Sequence, residues 1–279
     1  MQPVDQVIKV VTGISKTEDY TSRVSLPQAK DELWKLSVTF NKMIDTVEQG
    51  FSRLRRFTGD VSHELRTPLA IIKGEAELSL RRERTVEEYK ESLRFIHSEA
   101  ALMTRMVEDL LLLARAQGNA ISISKTRELL STFVSGLEKQ VSVSFQQKNI
   151  KLETKLETSL KYIVCGKTYI EIALVNILLN ACKHSNEGGR IEFRIYKNIN
   201  KICFSIKDYG EGIPEKALPA IFETFYRADS SRNRATGGVG IGLSLAKALV
   251  DIHQGSIKVV SKEGEGSTFE VELPIISEA

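Results

Sequence analysis

Apolar residues recur at intervals of three and four through the first 115 residues of the chain, a spacing that predicts helices. The earliest group comprises Val4, Ile8, Val11 and Ile14, and it follows Pro3, a residue that the first turn of a helix tolerates. The polar segment at 15–30 breaks the pattern. We therefore expect one short amphipathic helix and then a connector.

A longer apolar seam opens near Asp31 and Glu32, acidic residues that suit the N-terminus of a helix. Its members are Leu33, Leu36, Phe40, Met43, Val47, Phe51 and Leu54. Alternating intervals of three and four are the heptad pattern of coiled coils and helical bundles. The seam continues to Leu80 with no stop signal, which predicts one uninterrupted helix.

A second long helix is predicted from Thr85, because Thr85 and Glu88 have the spacing of a capping box. Gly118 suits its C-terminal end. Two long helices joined by a turn form an antiparallel hairpin, and apolar stripes of this length exceed what one hairpin buries. We expect two copies of the chain to form a homodimer, joined as a four-helix bundle.

After Gly118 the pattern changes to short strands, glycine-rich turns and separate helices. Strands are predicted at 150–157, 189–198, 201–208, 255–261 and 267–274, and helices at 129–148, 167–184 and 242–253. Strands and helices that do not alternate strictly favour an α+β sandwich. The chain is therefore predicted to be multidomain, with domains at 1–54, 55–118 and 125–276.

Composition narrows the function classes. A net charge of +3 is too balanced to favour nucleic acid or an anionic membrane as the main partner. Three cysteines without a CxxC pair predict free thiols in a reducing, cytoplasmic setting. No apolar run approaches the ~20 residues of a membrane span, so we expect the chain as given to be soluble.

Candidate chemistry appears first in the stretch SHELRTPL, at 62–69. His63 stands in a helical pattern that also contains Pro68, which cannot donate to the carbonyl of Glu64 and predicts an easily bent helix. One interpretation is a kinked helix with a surface histidine. The other is a reactive nucleophile, since a neutral imidazole is competent near pH 7.

The second half contains three glycine clusters, DYGEGIP, GGVGIGLSLAK and KEGEGSTF. Glycine lets backbone amides approach phosphates closely, although each cluster alone is more typical of a turn. The second cluster lacks the GK[ST] of a Walker loop. Asn176 and Asn180, one helical turn apart, present amide oxygens on one face, and such oxygens are suitable ligands for Mg²⁺.

Together these residues resemble the sensor histidine kinases. The ATP-binding domain of that family, a Bergerat or GHKL-type α+β sandwich shared with the gyrase, Hsp90 and MutL ATPases, is matched by Asn176…Asn180, Asp208-x-Gly210-x-Gly212, Phe222…Phe225 and Gly238-x-Gly240-x-Gly242. The stretch SHELRTPL resembles the phospho-acceptor box of the same kinases. Residues 3–54 resemble a HAMP signalling module, through Pro3, Arg23, Asp31-Glu32-Leu33, Asn41 and Met43.

The resemblance implies roles for the acceptor region. His63 would accept the phosphoryl group, and Glu64 would take up the proton of its imidazole. Thr67 would help to align the water that dephosphorylates a partner. Arg227 would lie near the γ-phosphate.

The resemblance also implies a site for ATP and Mg²⁺. Asp208 would accept a hydrogen bond from the adenine amino group, Asn180 would hold Mg²⁺, and Asn176 would support the metal or the phosphates. Lys183 could reach a phosphate, and His184 stands where the family usually has Tyr or Phe. The other residues assigned to this site are Gly210, Gly212, Ile213, Phe225, Gly238, Gly240, Gly242, Leu243 and Thr268.

The implied activity is autophosphorylation of His63 and transfer of the phosphoryl group to an aspartate on a response-regulator receiver domain, with phosphatase activity plausible as well. The full-length protein is expected in the cell membrane, through a transmembrane segment absent from this chain. The alternatives are an ATPase of the gyrase and Hsp90 type and a scaffold with a vestigial nucleotide domain. The related ATPases have a water-activating glutamate at the position of Asn176, which counts against the first alternative.

Overall fold

A computed structural model describes residues 12, 22–25, 32–118, 120–226 and 240–275. The chain divides into two compact units, Met1–Ala70 and Ile71–Ala279. Apart from residue 12, the predicted first helix around Val4–Ile14 lies outside the described residues, as do Pro3 and Asp31.

Helix α1 spans Glu32–Leu80 without interruption, as the apolar seam predicts. Pro68 lies buried inside it, and the helix continues on both sides. In the first unit, the side chain of Asn41 forms two hydrogen bonds of 2.9 Å with the backbone N–H and C=O of Val24. This pairing holds the connector segment 22–25 against α1.

Helix α2 spans Val86–Gln117, and its N-terminus has the predicted capping box between Thr85 and Glu88. Gly118 follows the last turn, but with a φ of −80° rather than the left-handed conformation. None of the helices in the described ranges is both long and apolar enough to cross a membrane.

A polar cluster joins the end of α1 to the start of α2. The guanidinium of Arg84 donates to Glu75, 3.2 Å away, and to the Ser92 hydroxyl, 2.8 Å away. Ser92 in turn donates to Glu75 at 2.6 Å. The hydrogen bonds from Ser92 and Arg84 lower the pKa of Glu75, and they link the two ends of the hairpin turn.

The second unit contains a five-stranded sheet in the order β2-β4-β5-β7-β6. Its strands are β2 Lys151–Glu157, β4 Arg190–Asn198, β5 Lys201–Asp208, β6 Ser256–Lys262 and β7 Gly266–Pro274. The β2–β4 pair is parallel and the other pairs are antiparallel. All five strands were predicted, whereas the two-stranded sheet of β1 Thr126–Leu129 and β3 Tyr162–Cys165 was not.

Three helices pack with this sheet to form the expected α+β sandwich. They are α3 Leu130–Gln147, α4 Lys167–His184 and α5 Gly242–Asp251. Helix α4 is central, since it contacts α3, α5 and β5, and its apolar residues Ile170, Leu174, Ile177 and Leu178 are fully buried. Along β4, buried Ile191, Phe193 and Ile195 alternate with polar residues, so one face of the sheet meets the helices.

The other face of the sheet carries a buried carboxylate. Glu272 accepts hydrogen bonds from Lys201 at 2.6 Å, from Lys258 and from the Ser256 hydroxyl at 3.0 Å. These donors, Lys201 first, lower the pKa of Glu272 from 4.5 to about 2. A depressed pKa means that the stabilisation is present above pH 4.5 and is lost as the pH falls toward 2.

We expect Glu272→Gln to lower the midpoint of thermal unfolding at pH 7, because two ammonium groups lose their counter-charge. The variant should also lose less stability than the parent between pH 4.5 and about 2. Circular dichroism melts across this pH range provide the measurement. Glu265→Gln, at an exposed pair with Lys262, is the matched control, and an equal effect there would refute the special role of Glu272.

Candidate functional site

On helix α4, the side chain of Asn176 lies beside the start of α5. The amide nitrogen of Asn176 donates to the carbonyl of Ile172 at 3.0 Å, which fixes the side chain. A Cβ added to Gly242 would lie 2.7 Å from the amide oxygen of Asn176. A side chain at position 242 would therefore displace the Asn176 amide, and Asn180 lies half-buried one turn farther along α4.

Asp208 ends β5 and is 2% exposed. Its Oδ1 accepts hydrogen bonds from the backbone N–H groups of Gly210 at 3.0 Å and of Ser267 at 3.2 Å. Burial raises the pKa of Asp208, and the two backbone donors oppose that shift. The carboxylate is thus held rigidly, and in its ionised form it can only accept hydrogen bonds.

The loop after Asp208 passes close to other backbone segments at its glycines. A Cβ at Gly210 would overlap the carbonyl oxygen of His184, and one at Gly212, where φ is +70°, would overlap that of Lys262. A Cβ at Gly266, where φ is +91°, would likewise overlap the carbonyl oxygen of Asp208. Gly266 was not assigned to the site from the sequence, although it belongs to the KEGEGSTF cluster.

His184, at the position where the resemblance leads one to expect an aromatic residue, pairs with Glu211. Its Nδ1 lies 2.6 Å from the carboxylate of Glu211, and its carbonyl accepts the N–H of Glu211 at 3.3 Å. The end of α4 and the loop that begins at Asp208 are therefore joined through both backbone and side chain.

Other assigned residues lie around this loop. The N–H of Ile213 donates to the Ser261 hydroxyl at 2.8 Å, and the N–H of Phe225 donates to the carbonyl of Gly240 at 2.9 Å. Lys183 and Leu243 are half-buried on α4 and α5. Gly238 and Arg227 lie outside the described residues.

The structure brings Ser267, rather than its neighbour Thr268, into contact with Asp208. Ser267 is buried, and Thr268 is half-buried in register with Lys207. Because successive side chains of a strand point to opposite faces, Thr268 projects away from the face of Ser267. The role assigned to Thr268 remains a prediction without a supporting contact.

His63, in the first unit, is exposed on α1, with 70% of its side chain accessible. Its Nδ1 lies 3.8 Å from the carboxylate of Glu64. The hydroxyl of Thr67 points back toward the carbonyl of His63, at 3.5 Å. A solvent-exposed imidazole with an adjacent carboxylate is accessible to a second substrate, as a nucleophile requires.

Within the described part of the chain, no group of three or more His, Cys, Asp or Glu side chains could hold a metal ion. A site for Mg²⁺ needs few protein oxygens, because this ion keeps several of its waters. The half-buried side-chain amide of Asn180 has an oxygen that could serve as such a ligand.

Two regions of the chain match known protein families. Residues 53–119 match the His Kinase A (phospho-acceptor) domain, and residues 167–277 match the histidine kinase-, DNA gyrase B-, and HSP90-like ATPase family. The sensor histidine kinase YkoH of Bacillus subtilis is 34% identical over 275 residues, covering 98% of this chain and 59% of that protein. The histidine-protein kinase BaeS of Escherichia coli is 30% identical over 273 residues, covering 98% and 56%.

A solved structure of histidine kinase ThkA in complex with response regulator protein TrrA has a similar fold, with a TM-score of 0.64 at 19% identity. The likeness covers 97% of this chain and 83% of that one.

The two matches place a helical phospho-acceptor domain before an ATPase-type sandwich on one chain. The chain combines these two domains and is similar over 98% of its length to two bacterial histidine kinases. It spans between half and two thirds of the length of the two relatives named above.

Proposed function

We propose that this protein transfers the γ-phosphoryl group of ATP to His63 and then to an aspartate on a response-regulator receiver domain. The observation that carries the proposal is the presence, on one chain, of an exposed histidine in a phospho-acceptor match and a rigid buried carboxylate in an ATPase match. The alternative, an ATPase without phosphohistidine chemistry, leaves the exposed histidine in the phospho-acceptor match unexplained.

The geometry at His63 favours one nitrogen as the nucleophile. Glu64 is adjacent to Nδ1, so a proton on Nδ1 leaves the lone pair of Nε2 for attack on phosphorus. The N–P bond forms as the bond from phosphorus to the β,γ-bridging oxygen breaks, and ADP departs. The Nδ1 proton then passes to Glu64, whose carboxylate must first move closer than the present 3.8 Å.

At the nucleotide site, Asp208 would select adenine, because a carboxylate accepts from the adenine amino group and has no hydrogen to offer guanine. Asn180, supported by Asn176, would hold Mg²⁺, which would neutralise phosphate charge. Lys183 and Arg227 would contact the phosphates. Gly210 and Gly212 would bring the backbone close to the base.

We also propose the domain division 1–54, 55–118 and 125–276. The matched ranges 53–119 and 167–277 support the second and third domains, and the pairing of Asn41 with Val24 is compatible with a HAMP module in the first. A membrane-spanning segment outside this chain is part of the same proposal.

The partners belong to the proposal as well. A receiver domain would dock at His63, as suggested by the family and by the ThkA–TrrA complex, and Thr67 would align the water for dephosphorylation. A second copy of the chain would cover exposed apolar residues of the two long helices, among them Leu36, Met43, Phe51, Leu54, Leu69, Leu93 and Leu111.

The proposed dimer can be tested by placing charges on its expected interface. Leu54 and Leu69 are 58% and 56% exposed on α1, and the double variant Leu54→Glu/Leu69→Glu would bury carboxylates between the two copies. We expect its dimer dissociation constant to rise at least about tenfold, measured by sedimentation equilibrium. Val260→Glu, a 75% exposed residue on β6, is the control and should leave the dimer intact. Dimers of equal strength in all three proteins would contradict this assembly.

A further inference from the structure

We infer that Lys148, which no motif includes, is a positioning residue for the nucleotide site, an inference that rests on the proposed function. Lys148 is the C-cap residue of α3. Its ammonium reaches the C-terminal end of α4 and donates to three carbonyl oxygens. These belong to Cys182 at 3.2 Å, Lys183 at 2.6 Å and Ser185 at 3.1 Å.

The last four carbonyls of a helix have no partner within it and must find one elsewhere. In α4, the carbonyl of Ala181 accepts from the N–H and the hydroxyl of Ser185. The next two, of Cys182 and Lys183, accept from Lys148, and the last, of His184, accepts from the N–H of Glu211. One ammonium therefore satisfies half of this set, at the negative end of the helix dipole.

An ammonium suits this position better than a guanidinium would. Its three N–H groups spread from one compact centre, and three carbonyls surround it. The backbone of Lys148 is fixed too, because its carbonyl accepts the N–H of Gly188, in the loop between α4 and β4. Lys148 thus anchors both the end of α4 and the loop that follows it.

The end of α4 is the part of the helix that touches the loop beginning at Asp208, which is proposed to bind adenine. Gly210 packs directly on the carbonyl of His184, and Glu211 is bonded to His184 through both backbone and side chain. A shift in the turn 182–185 would therefore move the loop that Asp208 begins. Lys148 does not need to touch the nucleotide in order to set the position of the groups proposed to bind its base.

This placement gives a specific expectation for nucleotide affinity. Lys148→Met keeps the aliphatic stem and removes all three donors, which leaves the carbonyls at the end of α4 without their cation. We expect the affinity for ADP and for a non-hydrolysable ATP analogue to fall by the same factor, about tenfold, because the two nucleotides share the adenine. Lys148→Arg, which restores a cation, should recover only part of the loss, because a planar guanidinium fits the three carbonyls less well.

The test is isothermal titration calorimetry on the full chain, at a temperature where circular dichroism shows every variant folded. Glu272→Gln is the matched control. It also loses ammonium contacts and is expected to lower stability, but Glu272 lies on the face of the sheet that points away from the helices. The inference is supported if Lys148→Met weakens both nucleotides and Glu272→Gln weakens neither. Should Lys148→Met not fold, Lys148→Gln, which keeps one amide donor group, takes its place.

Two results would overturn the inference. One is unchanged nucleotide affinity in Lys148→Met beside a parent that binds normally. The other is an equal loss of affinity in Glu272→Gln, which would make the effect one of general stability. If the parent binds neither nucleotide, the proposed function itself fails, and the inference fails with it.

Discussion

His63→Gln should abolish the acid-labile, alkali-stable label that the protein acquires from γ-labelled ATP. Glutamine keeps a polar side chain at an exposed helical position, so the fold should persist, but its amide nitrogen has no available lone pair for attack on phosphorus. Nucleotide affinity should stay within about twofold of the parent, because no contact assigned to the nucleotide involves this side chain. Gel-based labelling at alkaline pH gives the first quantity, and calorimetry gives the second.

His97→Gln is the matched control for this experiment. His97 is also an exposed histidine on a long helix, α2, but it lacks an adjacent glutamate and a following Thr-Pro pair. It should label as the parent does. Equal labelling of the parent and of His63→Gln would exclude His63 as the acceptor, whatever the result for His97.

Asp208→Asn should weaken ATP binding by about a hundredfold, because the substituted amide can present its N–H₂ group where the adenine amino group needs an acceptor. The Oδ1 oxygen, which accepts from Gly210 and Ser267, has an equivalent in asparagine, so the loop should keep its conformation. The preference for ATP over GTP should shrink as well. Competition binding with both nucleotides measures the two effects.

Asp251→Asn provides the comparison, since Asp251 is a carboxylate at the end of α5 that pairs with Lys247 on the surface. It should bind ATP like the parent. An Asp208→Asn variant that keeps parental affinity and the parental ATP-to-GTP ratio would show that Asp208 does not read the base.

Much of the fold was predictable because long periodic segments reveal their structure locally. The apolar seam from Leu33 to Leu80 predicted helix α1, and the capping box at Thr85 predicted the start of α2. Strands β1 and β3 were missed because each has four residues and neither shows a clean alternation of apolar and polar positions.

The site was predictable as far as it depends on motifs, and less so where it depends on contacts between distant segments. Ser267 was passed over in favour of Thr268, because the face of a strand is decided by register and not by residue type. The roles of Gly266 and Lys148 were also missed. Each comes from a close approach of backbone segments that lie far apart in the chain, and no local pattern reports such an approach.

The central claim is that the γ-phosphoryl group moves from ATP to His63, and its most direct test is to follow that group in a single turnover. Protein in excess over γ-labelled ATP reacts in the presence of Mg²⁺, and the reaction is stopped with alkali at successive times. The label in free phosphate and the label bound to peptides are then counted. We predict that most of the label is recovered on the peptide that contains His63, before free phosphate accumulates. Release of all the label as free phosphate, with no labelled peptide at any time, would contradict the account.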